Sequence, residues 1–250
     1  MEPREYNTMF EFETSYWWYR GLHLILIDTL KALELQKSAR VLDAGCGTGQ
    51  NLFNVCHLIT AQAYGFDVSP EAASFWARRG LSKVCQASIN DIPFPADTFD
   101  AVMSVDVFEC DSVAEDRAII ELLRILRPSG YLILVVPAYG WLLSEEHHKA
   151  VQASRRYSRT RVESLLRKEN VNLIRITHLF ASLLPVVAAY RIALPYLRSE
   201  SDVIPRSELR PLHPFINTML FKLVNLERRI LKGRNFPFGS SILAIARKVV

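Results

Sequence analysis

The sequence predicts an α/β fold, a doubly wound, mostly parallel sheet with helices on both faces. Three observations carry this. From residue 40 onward short apolar runs alternate with amphipathic stretches. Several runs are apolar throughout rather than at alternate positions. The first run ends in a glycine-rich turn that leads into a helix. Strands buried on both faces read as continuous apolar runs, and parallel neighbours need a crossover between them. With 250 residues, 50% hydrophobic and 22% charged, the chain can bury a sizeable core, which excludes wholesale disorder.

Residues 5–20 are dense in aromatics: Tyr6, Phe10, Phe12, Tyr16, Trp17, Trp18 and Tyr19. Residues 22–35 follow as an amphipathic helix, with Leu22, Leu26, Ile27, Leu30 and Leu33 near helical spacing. Residues 40–44 form the first strand, and a helix over 51–59 follows the glycine turn. Residues 63–67 form the second strand. Ser69 is expected to cap the next helix, with Pro70 at its first position and Gly80 at its end. Strands follow over 83–86 and 99–105, then a helix over 111–126 stopped by Pro128 and Gly130, then an apolar strand over 131–136. Beyond Pro137, residues 138–157 are polar and rich in His and Arg. A helix over 160–168, a strand over 172–178 and a last strand over 241–247 complete the pattern.

The expected organisation is an N-terminal aromatic and helical cap over 1–37 and a core over 38–178 plus 239–250. Between the last two strands, residues 179–238 form a basic, apolar helical insertion. Within it Phe215, Ile216, Met219, Leu220, Leu223, Val224, Ile230 and Leu231 make a helical stripe, with Lys222, Arg228, Arg229 and Lys232 off it. A lid, a membrane-surface element or a dimer surface would each use it.

The formal net charge of +4 conceals a gradient. Residues 1–125 hold 10 Lys and Arg against 18 Asp and Glu, and residues 126–250 hold 20 against 8. A basic second half suggests an anionic partner. Nucleic acid is disfavoured, because the basic residues are interleaved with Leu, Val, Pro and Ile rather than with a stacking platform. The four cysteines, Cys46, Cys56, Cys85 and Cys110, form no CxxC pair, so neither a disulfide framework nor a zinc set is expected. The expected compartment is reducing and cytoplasmic, with peripheral membrane contact left open. No secretory leader is evident near the N-terminus, and the apolar run 176–190, which carries no Asp, Glu, Lys or Arg, is broken by Pro185 and short for a spanning helix.

The central motif is Val41-Leu42-Asp43-Ala44-Gly45-Cys46-Gly47-Thr48-Gly49, a strand ending in DxGxGxG. Glycines permit a sharp turn and close approach of a ligand to the backbone. A dinucleotide fingerprint would need glycine at position 50, where Gln50 stands. Asp67 ends the next strand, where a carboxylate can accept both hydroxyls of a ribose. Ser88-Ile89-Asn90-Asp91-Ile92 follows the third strand, where Asp91 can accept from an adenine amino group while Ile92 packs on the ring.

With these residues the sequence resembles the class I S-adenosylmethionine-dependent methyltransferases, of the type 11 group that includes ubiquinone-biosynthesis methyltransferases. The carrying segments are VLDAGCGTG, GFDVSP, ASINDIPFPADTFDAVMS and LLRILRPSGYLILVVP. The resemblance implies a seven-stranded sheet with the last strand antiparallel, filled here by 241–247. It implies S-adenosylmethionine as cofactor, with Gly45, Cys46, Gly47, Thr48 and Gly49 around its methionine part and Asp43 positioning its amino group. Asp67 and Val68 would lie at the ribose, Asn90, Asp91 and Ile92 at the adenine, and Asp106 beside the bound molecule. The Tyr16-Trp17-Trp18-Tyr19-Arg20 segment resembles a subgroup in which it closes over the cofactor, which implies that Arg20 pairs with the methionine carboxylate.

The acceptor is expected above the fourth strand and beyond the fifth. Relatives often carry Glu-His where this chain has Glu109-Cys110, and Ala153 stands where a second His is usual. Candidate bases are therefore Glu109, His147 and His148. Trp141, Arg155, Arg156 and Tyr157 are candidate acceptor contacts, the arginines suited to a phosphate or carboxylate. No ligand cluster has metal spacing. The implied reaction is methyl transfer by in-line displacement, at oxygen, to a small-molecule or lipid- or saccharide-linked acceptor. The altered bases leave a non-catalytic cofactor-binding protein as an alternative, and Gln50 disfavours a nicotinamide-dependent oxidoreductase.

Overall fold

The computed structural model describes residues 3–143, 152–185, 188–189 and 211–249. Seven strands form one sheet: β1 (Val41–Ala44), β2 (Ala63–Asp67), β3 (Val84–Gln86), β4 (Phe99–Val105), β5 (Leu126–Pro137), β6 (Val171–Leu179) and β7 (Ser241–Lys248). Their order is β3-β2-β1-β4-β5-β7-β6. The pairings among β1 to β5 are parallel, and β7 runs antiparallel between β5 and β6. The chain starts at the centre of the sheet, moves out to β3, and returns to β4. The crevice between β1 and β4 at the carboxyl edge is thus the switch point where such sheets bind ligands.

Alternate strand residues feed two cores. Val41, Ala101, Met103, Ile133, Val135, Leu243 and Ile245 face the helices α2 (Trp17–Ala32) and α3 (Gln50–Leu58). Leu42, Ala44, Val102, Leu132, Leu134, Ile242 and Ala244 pack with α5 (Glu115–Ile125) and α6 (Arg159–Arg167). A smaller cluster joins Tyr6 of α1 (Pro3–Phe12) to Cys46 and to Phe75 and Trp76 of α4 (Ala72–Arg78).

Several expectations are refined. α2 begins at Trp17 and takes in Trp17, Trp18 and Tyr19, while Tyr6, Phe10 and Phe12 lie on α1, an additional helix. Ser69 does not cap α4: its N–H donates to Asp67 Oδ1 at 3.0 Å and its hydroxyl to the Glu71 carboxylate. β5 begins at Leu126 rather than after Gly130. Its register against β4 slips between Phe99 and Ala101, which absorbs Pro128 and Ser129 as an irregularity.

The insertion contributes α7 (Pro214–Leu231). It packs as part of the layer covering the sheet, with Val224 and Leu231 in the same core as Leu22, Leu26 and Leu243, so its packing is not that of a lid. Tyr16, at the start of α2, supplies no side-chain cap. Asn217 of α7 does this instead: its Oδ1 accepts from Trp17 N–H at 2.9 Å, and its Nδ2 donates to Ser15 O at 2.9 Å. Lower down, Arg228 and Lys232 pair with Asp28 at 2.6 and 3.2 Å. Glu227 is buried and accepts from the N–H groups of Ala181 and Ser182, both at 3.0 Å.

The crossing of α2 and α7 depends on Gly21. A Cβ there would stand 2.4 Å from Val224 Cγ1. Gly21→Ala gains about 0.5–1 kcal/mol of helix propensity but costs about 1–3 kcal/mol through overpacking, so the clash prevails. The expected outcome in thermal denaturation is a Tm lower by about 2–8 °C, recovered in large part by adding Val224→Ala. An unchanged Tm in the single variant would show that the helices separate freely.

Candidate functional site

The glycine turn is held by its neighbours on every side. Gly45, Gly47 and Gly49 all have positive φ, at 83°, 53° and 86°. Gly45 N–H and Cys46 N–H donate to Phe66 O at 2.9 and 2.8 Å. Trp76 Nε1 donates to Gly47 O at 2.8 Å, and Arg79 Nε to Thr48 O at 3.0 Å. A Cβ on Gly45 would lie 2.4 Å from Val107, so a side chain there is excluded by space as well as by φ, while at Gly47, where the neighbour is the flexible end of Met9, φ is the constraint.

Over this turn lies α1, which the sequence reading did not assign to the site. Tyr6 OH donates to Asp67 Oδ1 at 3.0 Å, and Gly47 N–H donates to Asp67 Oδ2 at 2.8 Å. Just beyond α1, Glu13 accepts from Thr48 Oγ1 at 2.5 Å and is paired with Arg79, whose guanidinium also reaches Gln50 Oε1. Arg79 therefore ties α1, the turn and α4 together. The signal for this was present in Tyr6 and Phe10, one helical turn apart, and in a Glu preceding the aromatic run.

Four carboxylates gather along the carboxyl edge. Asp43 is buried, and neither oxygen has a hydrogen-bond partner among the described residues. Burial, then the charge of Asp67, pushes its pKa up to about 8. Asp106 directly follows β4 with φ 52°, a left-handed backbone for a non-glycine residue. Burial pushes its pKa up to about 7, opposed by Arg156. Glu109 is buried with Oε2 unpartnered among the described residues. Burial and then the Asp106 charge hold it well above the usual carboxylate range, with Arg156 and Arg155 opposing. Asp67, by contrast, accepts hydrogen bonds on both oxygens, from Tyr6, Ser69 and Gly47.

Other expected site residues fall into two groups. Val68 is exposed beside Asp67, and Asp91 is exposed on a turn closed by its own N–H to Ser88 O at 3.1 Å. Trp141 is exposed and stacks on Tyr139, whose other neighbour is His178, with ring centroids 5.7 and 5.8 Å apart. The remainder are drawn into the scaffold. Ile92 is a core residue whose N–H donates to Glu121 at 2.8 Å, so it does not offer a free face to a ring. Asn90 uses both ends of its amide on Ser112 O and Ala114 N–H, at the start of α5. Arg155 donates to Val113 O at 2.8 Å and to Cys110 O, and Tyr157 is buried with its hydroxyl on Phe108 O and Glu115, which removes both as acceptor contacts. Arg20 lies over the Phe221 ring, 3.7 Å from its centroid, rather than facing the glycine turn. Cys110 and Ala153, the two positions where a His is usual in the resembled group, are backbone partners in an isolated bridge. His147 and His148 lie outside the described residues. Among the described residues no group of three His, Cys, Asp or Glu could hold a metal ion.

A sheet of this order with an antiparallel seventh strand, a glycine turn after β1 and a carboxylate ending β2 defines the class I S-adenosylmethionine-dependent methyltransferase fold. Residues 42–134 match the family model described as a methyltransferase domain. Over 99 residues the chain is 34% identical to the fatty-acid O-methyltransferase of Mycolicibacterium smegmatis, covering 38% of this chain and 35% of that one. The structure resembles the YcgJ protein of Bacillus subtilis, with TM-score 0.59 at 19% identity, covering 91% of this chain and 99% of that one. It also resembles geranyl diphosphate C-methyltransferase of Streptomyces coelicolor, solved with S-adenosyl-L-homocysteine, with TM-score 0.57 at 15% identity, covering 90% and 78%. The match to the methyltransferase-domain model thus lies in residues 42–134, the stretch that holds β1 to β4 and most of β5, and the fold it belongs to is one that uses S-adenosylmethionine as cofactor. It spans about a third to a half of the length of the curated relatives it matches.

The raised acids make a prediction about pH. Asp43 and Asp106 bind protons more tightly folded than unfolded, so the folded state holds more protons between about pH 4 and their folded values. Their contribution to stability is full below that window, declines as pH rises through it, and levels off above about pH 8. Thermal denaturation across this range is expected to show a falling Tm, and Asp43→Asn is expected to flatten the decline. A variant with the wild-type slope would remove Asp43 as its source.

Proposed function

We propose that this chain transfers a methyl group from S-adenosylmethionine to an oxygen of an apolar small-molecule or lipid- or saccharide-linked acceptor. One observation carries the cofactor half: Asp43 and Asp67, on neighbouring strands, bracket a glycine turn that no larger residue fits. Asp67 has about four lone-pair sites, and Tyr6, Ser69 and Gly47 use three, which leaves one for a ribose hydroxyl and a second when Tyr6 turns aside. The unpartnered Asp43 suits a cationic amino group. Val68 offers an apolar face, and Asp91 an acceptor for an amino group. The cofactor supplies a methyl already activated on a sulfonium, for in-line displacement.

The chain's own residues then position the acceptor and manage its proton. Glu109 can exchange a proton at the unpartnered Oε2, and Arg156, which favours the ionised forms of Asp106 and Glu109, tunes it. His147 and His148 remain proposed bases. Tyr139, Trp141 and His178 form an aromatic wall at the ends of β5 and β6, and this supports an apolar acceptor. The relatives include a fatty-acid O-methyltransferase, sterol C-methyltransferases and an N-methyltransferase, and the first of these is the one that supports oxygen as the target. The +12 balance of residues 126–250 supports an anionic group on the acceptor.

Asp67→Ala is expected to weaken S-adenosylhomocysteine binding by about 10–100-fold, measured by calorimetry. Unchanged affinity would refute the ribose role. For the acceptor, labelled methyl transfer into fractionated cell extract is expected to place the label in the lipid or small-molecule fraction, in an alkali-labile ester or a stable ether. Label in protein or nucleic acid would overturn the acceptor class, and tight cofactor binding without transfer to any fraction would overturn the enzyme reading.

A further inference from the structure

The outer face of α7 has no counterpart in the chemistry above. At 100° per residue, Phe215, Leu226, Met219, Ile230, Leu223 and Ile216 fall in succession around an arc of about 100°. All six are exposed, Phe215 by 72%, Leu226 by 55% and Met219 by 52%. A continuous exposed apolar face of this length marks an interaction site, because soluble surfaces scatter such residues singly. The opposite face is already used, by Val224 and Leu231 against α2 and the sheet.

The charges around this arc identify the partner. Lys222 and Arg229 border one side, both exposed and without an ion-pair partner among the described residues. Lys232 and Arg234 follow at the end of the helix, exposed as well. The only acidic residue of α7 is Glu227, which is buried and committed to Ala181 and Ser182. The exposed surface of the helix is thus apolar with a cationic border and carries no negative charge of its own. A second copy of the chain would add like charges to that border, whereas an anionic surface neutralises it. At 18 residues α7 is not apolar enough to cross a bilayer, and no described helix is. Helices with this division of apolar arc and basic border lie in the plane of a membrane interface.

We propose that α7 docks the protein on an anionic lipid surface, inserting the arc from Phe215 to Ile230 among the acyl chains while Lys222 and Arg229 meet the headgroups. This goes beyond methyl transfer and does not rest on it. The test is co-sedimentation of the full chain with phosphatidylcholine vesicles, with and without phosphatidylglycerol, at low and high salt. Pelleting with the anionic vesicles only, reduced by salt, is expected. Met219→Glu with Leu226→Glu is expected to lower the bound fraction by tenfold or more while thermal denaturation is unchanged, since both positions are exposed. Lys222→Ala with Arg229→Ala is expected to weaken binding by about 10–30-fold. No pelleting of the wild type at low salt would overturn the proposal, as would equal pelleting of the Met219→Glu, Leu226→Glu variant. A lipid-free dimer in sedimentation velocity that this same variant converts to monomer would overturn it in favour of a second copy.

Discussion

Negative charge held out of water at the carboxyl edge of the sheet is the constraint on which this structure turns. Asp43, Asp106 and Glu109 are carried there by β1, by β4 and by the turn after β4, and all three are driven toward their protonated forms. A buried carboxylate without a partner is costly, and folded proteins meet that cost by neutralising the group. Here the carboxyl groups so held back from ionising stand at the point where the backbone is also least comfortable. Asp106, Tyr139 and Phe180, which follow β4, β5 and β6, all take positive φ. Strain and carboxyl groups held back from ionising at one sheet edge are the conditions under which a cationic ligand, which favours their ionised form, gains most from entering.

Asp67 shows the contrasting solution. Its charge is satisfied by hydrogen bonds, and two of the three donors come from elements distant in sequence, Tyr6 and Gly47. Glu13 is held by bonds of the same kind, to Arg79 and Thr48, which oppose the upward push of its burial without cancelling it. These bonds bind α1, the glycine turn and α4 into a single body. The N-terminal helix is therefore part of the wall of the site and not an appendage, even though its apolar contact with the rest of the fold is modest.

Much of the fold was legible in the sequence because its signals are local. Apolar runs, caps and glycines fixed the strands to within a few residues, and the order of motifs pointed to Asp43, Asp67 and the turn between them. What was missed depended on partners far along the chain. Nothing near Ile92 indicates that Glu121 will take its N–H, and nothing near Tyr157 announces Phe108 O. Arg155 reads as a free cation until the carbonyls of Cys110 and Val113 are brought to it. Polar groups in a loop are ambiguous for this reason: the bonds that bury them span 29 to 49 residues here. α1 was hidden differently, since its short, largely polar surface presents little periodic apolar signal and its anchoring residues, Tyr6 and Glu13, are ones that alone suggest no role.

The cap that Asn217 places on α2 has a consequence for how the chain comes into being. An N-terminal helix could in principle settle early, as local contacts form fast. Here the first turn of α2 acquires its side-chain partner only when a residue two hundred positions later has been synthesised. Until then Trp17 and Trp18 sit on a helix whose end is open and whose covering neighbour, α7, does not yet exist. The start of α2 is thus completed only once α7 has been made, and its aromatic segment must remain soluble, or be sheltered, until then.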